Sequence, residues 1–337
     1  MSTRLAAPLS LARMKPLISA GLRDAVSTLS PTLARLVAYH LGWEDERGRE
    51  TDADGGKALR PTITLLAAES VGAAADSALR GAVAVELVHN FSLLHDDVMD
   101  GDRERRHRPT VWALFGIGQA IIAGDALLAL AQRHLLDDER PEARRAAEEL
   151  NRSTAEMIEG QSEDLSPEAR IDVSVEESVS MATHKTAALL SGAAAVGAVL
   201  GGADERAIEA LRGFGRHLGI AFQAVDDVLG IWGDPALTGK PAANDLRQRK
   251  KTIPVVHALA SNGGVDLKGL LSNGELSEAP LREALQLVEA AGSREWALGL
   301  AEHHLREANA ALDAGSLSPG PVEELRDLAW FVVGRNF

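Results

Sequence analysis

The residues of this chain most able to do chemistry are two acidic clusters. In FSLLHDDVMDGDRERRHRPT, Asp96 and Asp100 stand one helical turn apart, so on a helix both carboxylates project from the same face. Like charges at that spacing repel and weaken the helix unless a cation lies between them. Two carboxylates completed by water or phosphate oxygens suit octahedral Mg²⁺. A solvated acidic helix end is the plainer alternative, but Asp96 and Asp97 follow the apolar run 88–94 and precede Val98 and Met99. A second pair, Asp226 and Asp227 in IAFQAVDDVLGIWGD, again closes an apolar helix far along the chain. Two such helices facing each other would hold several Mg²⁺ ions and bind a diphosphate by neutralising its charge as it departs. Nothing competes for phosphate: there is no nucleophilic triad, and Gly55 and Gly56 before Lys57 lack both the Walker spacing and a preceding strand.

Helices must carry these carboxylates, and helices are what the pattern gives. Apolar residues recur at three- and four-residue spacing, with no run of strand-like alternation bounded by hairpin signals. The expected fold class is all-α, with helices over about 17–41 broken near Pro31, 59–71, 76–100, 110–136, 141–163, 174–200, 204–232, 253–261, 278–312 broken near Gly292, and 320–334. Three polar connections, Gly42 to Gly56, Gly101 to Arg108 and Gly233 to Thr252, hold charge clusters that a purely structural loop would not need. The 337 residues contain no linker, repeat or low-complexity tract, so one domain over 1–337 is expected. With 45% apolar but only 4% aromatic residues, its core must be built mainly from Ala, Leu and Val.

A net charge of -14 argues against nucleic acid or an anionic membrane as partner. An anionic substrate would need local cations or metals. There is no cysteine, hence no disulfide framework or thiolate site, which fits a cytoplasmic protein. No signal peptide is expected. The uncharged stretch Thr186 to Ala203 is mostly Ala and Gly, which predicts a tightly packed internal helix rather than a membrane span.

Six ordered elements resemble the trans-isoprenyl diphosphate synthase family, which makes farnesyl, geranylgeranyl and longer prenyl diphosphates. They are GGKALRP (55–61), DDVMD with the arginines after it, EGQSEDL (159–165), HKTA (184–187), FQAVDDVLGIWGDPALTGKP (222–241) and NDLRQRKKTIP (244–254), with His89 seven residues before the first aspartate. The resemblance implies an isoprenoid synthase helical bundle around a central cavity, and a homodimer. It implies that Lys57, Arg60, His89 and Arg106 bind the diphosphate of isopentenyl diphosphate. Arg105, Lys185 and Lys240 would hold an allylic diphosphate, with Thr186, Gln223 and Lys250 as further substrate contacts. Asp96, Asp100 and Asp226 would ligate Mg²⁺, three ions per site, with Asp97, Asp227, Gln161 and Asp245 nearby. Plainer alternatives are a packed helix histidine for His89 and a solvated basic loop for Arg247 and Arg249.

Two positions depart from the family pattern. Gly230 stands where the second motif often has its last aspartate, a loss that Asp234 or Asp245 could offset, and His107 stands where a glycine is common. The implied reaction ionises the allylic diphosphate, lets the alkene of isopentenyl diphosphate attack the cation, and passes a proton to the released pyrophosphate. Product length would be set below the aspartates, where Phe91 could form a floor and the small Ser92 leaves room beside it. This gives a C20 product as the first expectation and C15 as the second, with plain core as the alternative for Phe91. Competing activities are a class I terpene cyclase, which would not need the isopentenyl-binding cations, and a non-catalytic subunit of a heteromeric synthase.

Overall fold

The uncharged run after Lys185 ends in the middle of the molecule. In the computed structural model, which describes residues 7–51, 56–165, 172–234, 243–272 and 276–334, Ala188–Leu200 is a helix with every residue but Ser191 buried. Its small side chains let neighbours approach closely. A Cβ added to Gly197 would lie 2.0 Å from the carbonyl oxygen of Thr64, so only glycine fits at that crossing.

In chain order the helices are α1 (Leu9–Ser27), α2 (Pro31–His40), α3 (Leu59–Ser70), α4 (Leu79–Met99), α5 (Val111–Phe115), α6 (Ile117–Leu136), α7 (Pro141–Leu165), α8 (Val175–Ala182), α9 (Ala188–Leu200), α10 (Glu205–Trp232), α11 (Asn244–Arg247), α12 (Ile253–Leu259), α13 (Gly264–Ser272), α14 (Glu278–Ala290), α15 (Ser293–Ala314) and α16 (Pro319–Val333). A 3-10 turn (Ala75–Ala78) leads into α4, and a π-helical turn (Thr183–Ala187) joins α8 to α9. Helices α3, α7 and α10 surround α9, while α15 backs α10 and α6 backs α4. The main core is Leu, Val and Ala, with Phe214 its largest fully buried side chain. A smaller cluster, including Ile231, Leu246, Val255 and Leu267, seats α11 to α14 on the end of α10.

The all-α expectation holds, and the internal reading of the Thr186 to Ala203 stretch holds with it. Among the described residues no helix is long and apolar enough to cross a membrane. Several boundaries differ from the expected ones. Helix α1 begins at Leu9 and contains Pro16, which removes one intrahelical bond without ending the helix. Gly116, at φ +92°, divides the helix expected over 110–136 into α5 and α6. Helices α11 and α13 were not expected, nor was the two-stranded hairpin β1 (Glu104–Arg105) and β2 (Arg108–Pro109). Such short elements leave no periodicity to read.

Candidate active site

The site is assembled around the π turn. Two helices pass so close to this turn that only glycine fits on each: a Cβ on Gly160 of α7 would lie 2.2 Å from the Lys185 backbone nitrogen, and one on Gly219 of α10 would lie 2.3 Å from the Ala187 Cα. Held from both sides, the turn sends consecutive residues to different motifs. Lys185 pairs with Asp164 of α7. Burial works against the Lys185 ammonium, but Asp164, Asp96 and Asp100 outweigh it and raise its pKa. The hydroxyl of Thr186 donates to Gln223 Oε1 (2.6 Å). Gln223 Nε2 in turn donates to Asp227 Oδ1 (2.7 Å), whose other oxygen accepts from the Ile253 N–H (2.9 Å). The two aspartate motifs are thus tied to one turn of backbone.

Around the first motif, Asp97 is buried, and its Oδ1 accepts from both Arg105 Nε and Nη2 at 2.7 Å. Asp96 is half-buried and Asp100 exposed at the end of α4. Burial lifts the Asp96 carboxyl to about 6, the cation of Lys185 opposing and the charge of Asp100 adding to it. Burial likewise lifts Asp227 to about 7 against its two hydrogen bonds, with Asp226 and Asp245 contributing repulsion. Beside the end of the first motif opens a cavity of about 490 Å³ lined by Asp100, Glu163, Asp164 and the segment Gln248–Lys251, so Lys250 stands at its wall.

A second group of cations lies on the other side of Asp97. Arg60 Nη1 is 3.3 Å from His89 Nε2, and burial together with Arg60, Arg106 and Arg105 holds His89 well below its usual pKa, hence neutral. The Arg106 guanidinium rests against Gly56, where an added Cβ would come within 2.7 Å of it. Lys57 is exposed beside them, its ammonium 5.6 Å from the ring centroid of Phe331 on α16. A cavity of about 250 Å³ here is lined by Asp97, Arg105, Arg106 and His40.

Of the expected site residues, the structure gathers Asp96, Asp97, Asp100, Arg105 and Lys185 in one group, Thr186, Gln223, Asp226 and Asp227 in a second, and Lys57, Arg60, His89 and Arg106 in a third. Lys240 lies outside the described residues. Phe91 is buried with its ring edge-on to His95, centroids 4.8 Å apart, and Ser92 Oγ bonds back to the His89 carbonyl. Sequence reasoning missed a buried polar line behind the third group. Asn90 Oδ1 accepts from His40 Nε2 (3.2 Å), and Asn90 Nδ2 donates to the Glu86 carbonyl and to Glu86 Oε1 (2.8 and 3.2 Å). The signal was present: Glu86 and Asn90 are polar residues one turn apart on a mainly apolar helix.

The polyprenyl synthetase family model matches residues 46–288. The chain belongs to the polyprenyl synthetase family. It is 46% identical over 326 residues to a (2E,6E)-farnesyl diphosphate synthase of Mycobacterium tuberculosis, covering 95% of this chain and 91% of the relative. It is also 43% identical over 303 residues to a geranylgeranyl diphosphate synthase of the same organism, covering 88% and 86%. The crystal structure of a polyprenyl synthetase from Streptomyces coelicolor A3(2) superposes with a TM-score of 0.92 at 48% identity, covering 96% of this chain and 99% of that one. Family membership makes the chain a prenyltransferase with the isoprenoid synthase fold.

Proposed function

We propose that this chain condenses isopentenyl diphosphate with an allylic diphosphate, releasing pyrophosphate and a short-chain prenyl diphosphate. One observation carries the reading: the two aspartate motifs meet at a single π turn, while a separate cation group gathers on the far side of Asp97. Two anion-binding sites side by side are what a two-diphosphate reaction requires, and a cyclase acting on one diphosphate has no use for the second.

The residues at the first site fit Mg²⁺. Burial has lifted the Asp96 carboxyl, and the charges of Asp100 and Asp164 add to that lift. Among the described residues neither amide atom of Gln161, beside Gly160, has a hydrogen-bond partner although both are buried. No three His, Asp or Glu side chains among the described residues converge on one point, so the remaining ligands would come from water and the diphosphate, as is usual for this ion. Asp96, Asp100 and Asp226 would hold the ions, three per site, and the bound metal supplies positive charge to the leaving group. Lys185, Arg105 and Lys240 would hold the allylic diphosphate as negative charge builds on it. Arg60, Lys57 and Arg106 would fix the second diphosphate, and neutral His89 can donate a hydrogen bond to it without adding charge. The buried apolar face of α4 would keep water from the allylic cation until the alkene attacks.

For product length we propose that Phe91 forms the floor, giving C20 first and C15 second, a range that spans the names of the two mycobacterial relatives. Phe91→Ala should lengthen the product, and an unchanged product would remove the floor. The proposed assembly is a cytoplasmic homodimer. Leu114, Ile117, Ile121 and Ile122 expose 38–53% of their surface along α5 and α6, a row that a two-fold partner would cover. Light scattering of the wild type and of Ile121→Asp tests this, the variant being expected as a monomer. The function itself is tested by supplying Mg²⁺, isopentenyl diphosphate and each of the C5, C10 and C15 allylic diphosphates, with products sized by mass. A prenyl diphosphate dependent on isopentenyl diphosphate is expected. A hydrocarbon formed from geranylgeranyl diphosphate alone would overturn the proposal.

A further inference from the structure

Glu86 is the only charged residue in the stretch 81–88 of α4, every residue of which is buried. With 8% of its surface exposed, its carboxylate depends on the groups around it rather than on water. Asn90 Nδ2 donates to its Oε1 (3.2 Å). The charges that hold it ionised are Arg60 of α3 and, more weakly, Arg106 of the hairpin turn. The support is mutual, because burial works against the Arg60 guanidinium and Glu86 is the charge that opposes it. Arg60 Nε is itself buried without a hydrogen-bond partner among the described residues, so its stabilisation comes through the field of Glu86. His40 of α2, which meets Glu86 through Asn90, and His89 on α4 are both held neutral by burial and the surrounding arginines. The other helices packed on α4, α1, α6 and α9 among them, bring no further charge to Glu86 among the described residues.

We infer that Glu86 is the counter-charge of Arg60 and Arg106 before substrate binds, and that it takes up a proton when a diphosphate engages those two arginines. This rests on the proposed reading of Lys57, Arg60, His89 and Arg106 as the isopentenyl diphosphate site. A diphosphate brings several negative charges to the same cations that stabilise the carboxylate. Its field cancels theirs at Glu86 and its body closes off water, so a second buried anion beside it is disfavoured. Burial already pushes the Glu86 carboxyl above the ordinary glutamate value against the pull of Arg60, so part of the way to the neutral form is covered beforehand.

The hydrogen bond from Asn90 does not oppose the change. It lands on Oε1, which stays an acceptor when the proton, drawn from solvent, sits on Oε2. Glu86 therefore acts as a positioning residue. It keeps Arg60 charged and in place while the site waits, and it gives up its own charge once the substrate supplies a replacement. Binding then costs a proton, so affinity should fall as pH rises.

The test is calorimetric titration of the full-length protein with isopentenyl diphosphate alone, in pairs of buffers of different ionisation enthalpy, from about pH 7.5 to 8.5. In that window a phosphate group, whose second pKa is about 6, is already fully ionised. The wild type should take up as much as about one proton per diphosphate, with its Kd rising several-fold over the window against a ceiling of about tenfold per pH unit. Glu86→Gln, whose amide oxygen still accepts from Asn90, should bind with a Kd that does not change with pH and with no such uptake. Should thermal melts show Glu86→Gln unfolded, the wild-type titrations decide, since the arginines stay charged and His40 and His89 stay neutral throughout. No proton uptake by the wild type, or equal uptake by wild type and Glu86→Gln, would overturn the inference. Failure of the wild type to bind isopentenyl diphosphate would instead overturn the reading of the site on which it rests.

Discussion

His107 follows Arg106 in the two-residue turn between β1 and β2, and both have positive φ, +59° and +52°. That is the type I′ pattern, in which glycine is free of strain and other residues are not. The departure from the family pattern noted at this position is therefore a local conformational cost rather than a lost contact. His107→Gly should stabilise the protein by roughly 0.5–1 kcal/mol, the relief of strain exceeding glycine's entropy in the unfolded chain; chemical denaturation measures it, and a lower midpoint would contradict the assignment. At Asp227 burial lifts the folded carboxyl to about 7, against 3.8 for an ordinary aspartate. Between those values the unfolded chain has released this proton and the folded protein has not, so the group's contribution falls as pH rises from about 4 to 7 and is flat above. The stability difference between Asp227→Asn and wild type, free of metal, should therefore grow in the variant's favour across that window. The two aspartate clusters stand out by type and spacing, since charged pairs at one-turn intervals on apolar helices have few other uses, whereas the cations expected around them follow from the family resemblance. What spacing could not show was room: that Gly230 is filled by Asp245, or that Asp97 is held by Arg105 rather than open.

At the scale of elements, the site depends on a π turn that joins two helices without interrupting their direction. One extra residue in a turn hardly alters the three- and four-residue apolar spacing, so the sequence reads 174–200 as one helix and the turn stays hidden. Its traces are Gly160 and Gly219, whose need for close backbone approach appears only once α7 and α10 are in place. Gly160→Ala pushes a methyl against the Lys185 backbone. The expected loss is about 1–3 kcal/mol of stability, with a raised KM for the allylic substrate and an unchanged KM for isopentenyl diphosphate. Equal changes in both constants would mean the turn does not serve Lys185 specifically. Long amphipathic helices were readable because their burial repeats over many turns. The β1–β2 hairpin and α11, which place Arg106 and Asp245, are too short for that and owe their form to tertiary anchors such as the Arg108 bonds to the Tyr39 and Glu44 carbonyls.

Taken whole, a molecule of net charge -14 that handles two anionic substrates must concentrate its positive charge. Arg60, Arg105, Arg106, Lys57 and Lys185 are brought to one end of the bundle by α3, the hairpin and the π turn. The Ala-rich α9 makes this possible by letting α3, α7 and α10 pack tightly around it, and α16 reaches back to place Phe331 against Lys57. The central claim is that carboxylates from α4 and α10 act together on one leaving group. It is tested most directly by the steady-state condensation rate of the Asp96→Asn, Asp226→Asn double variant at saturating Mg²⁺ and both substrates. The account predicts a fall of about a thousandfold or more with the fold intact, and turnover within tenfold of the wild type would contradict it.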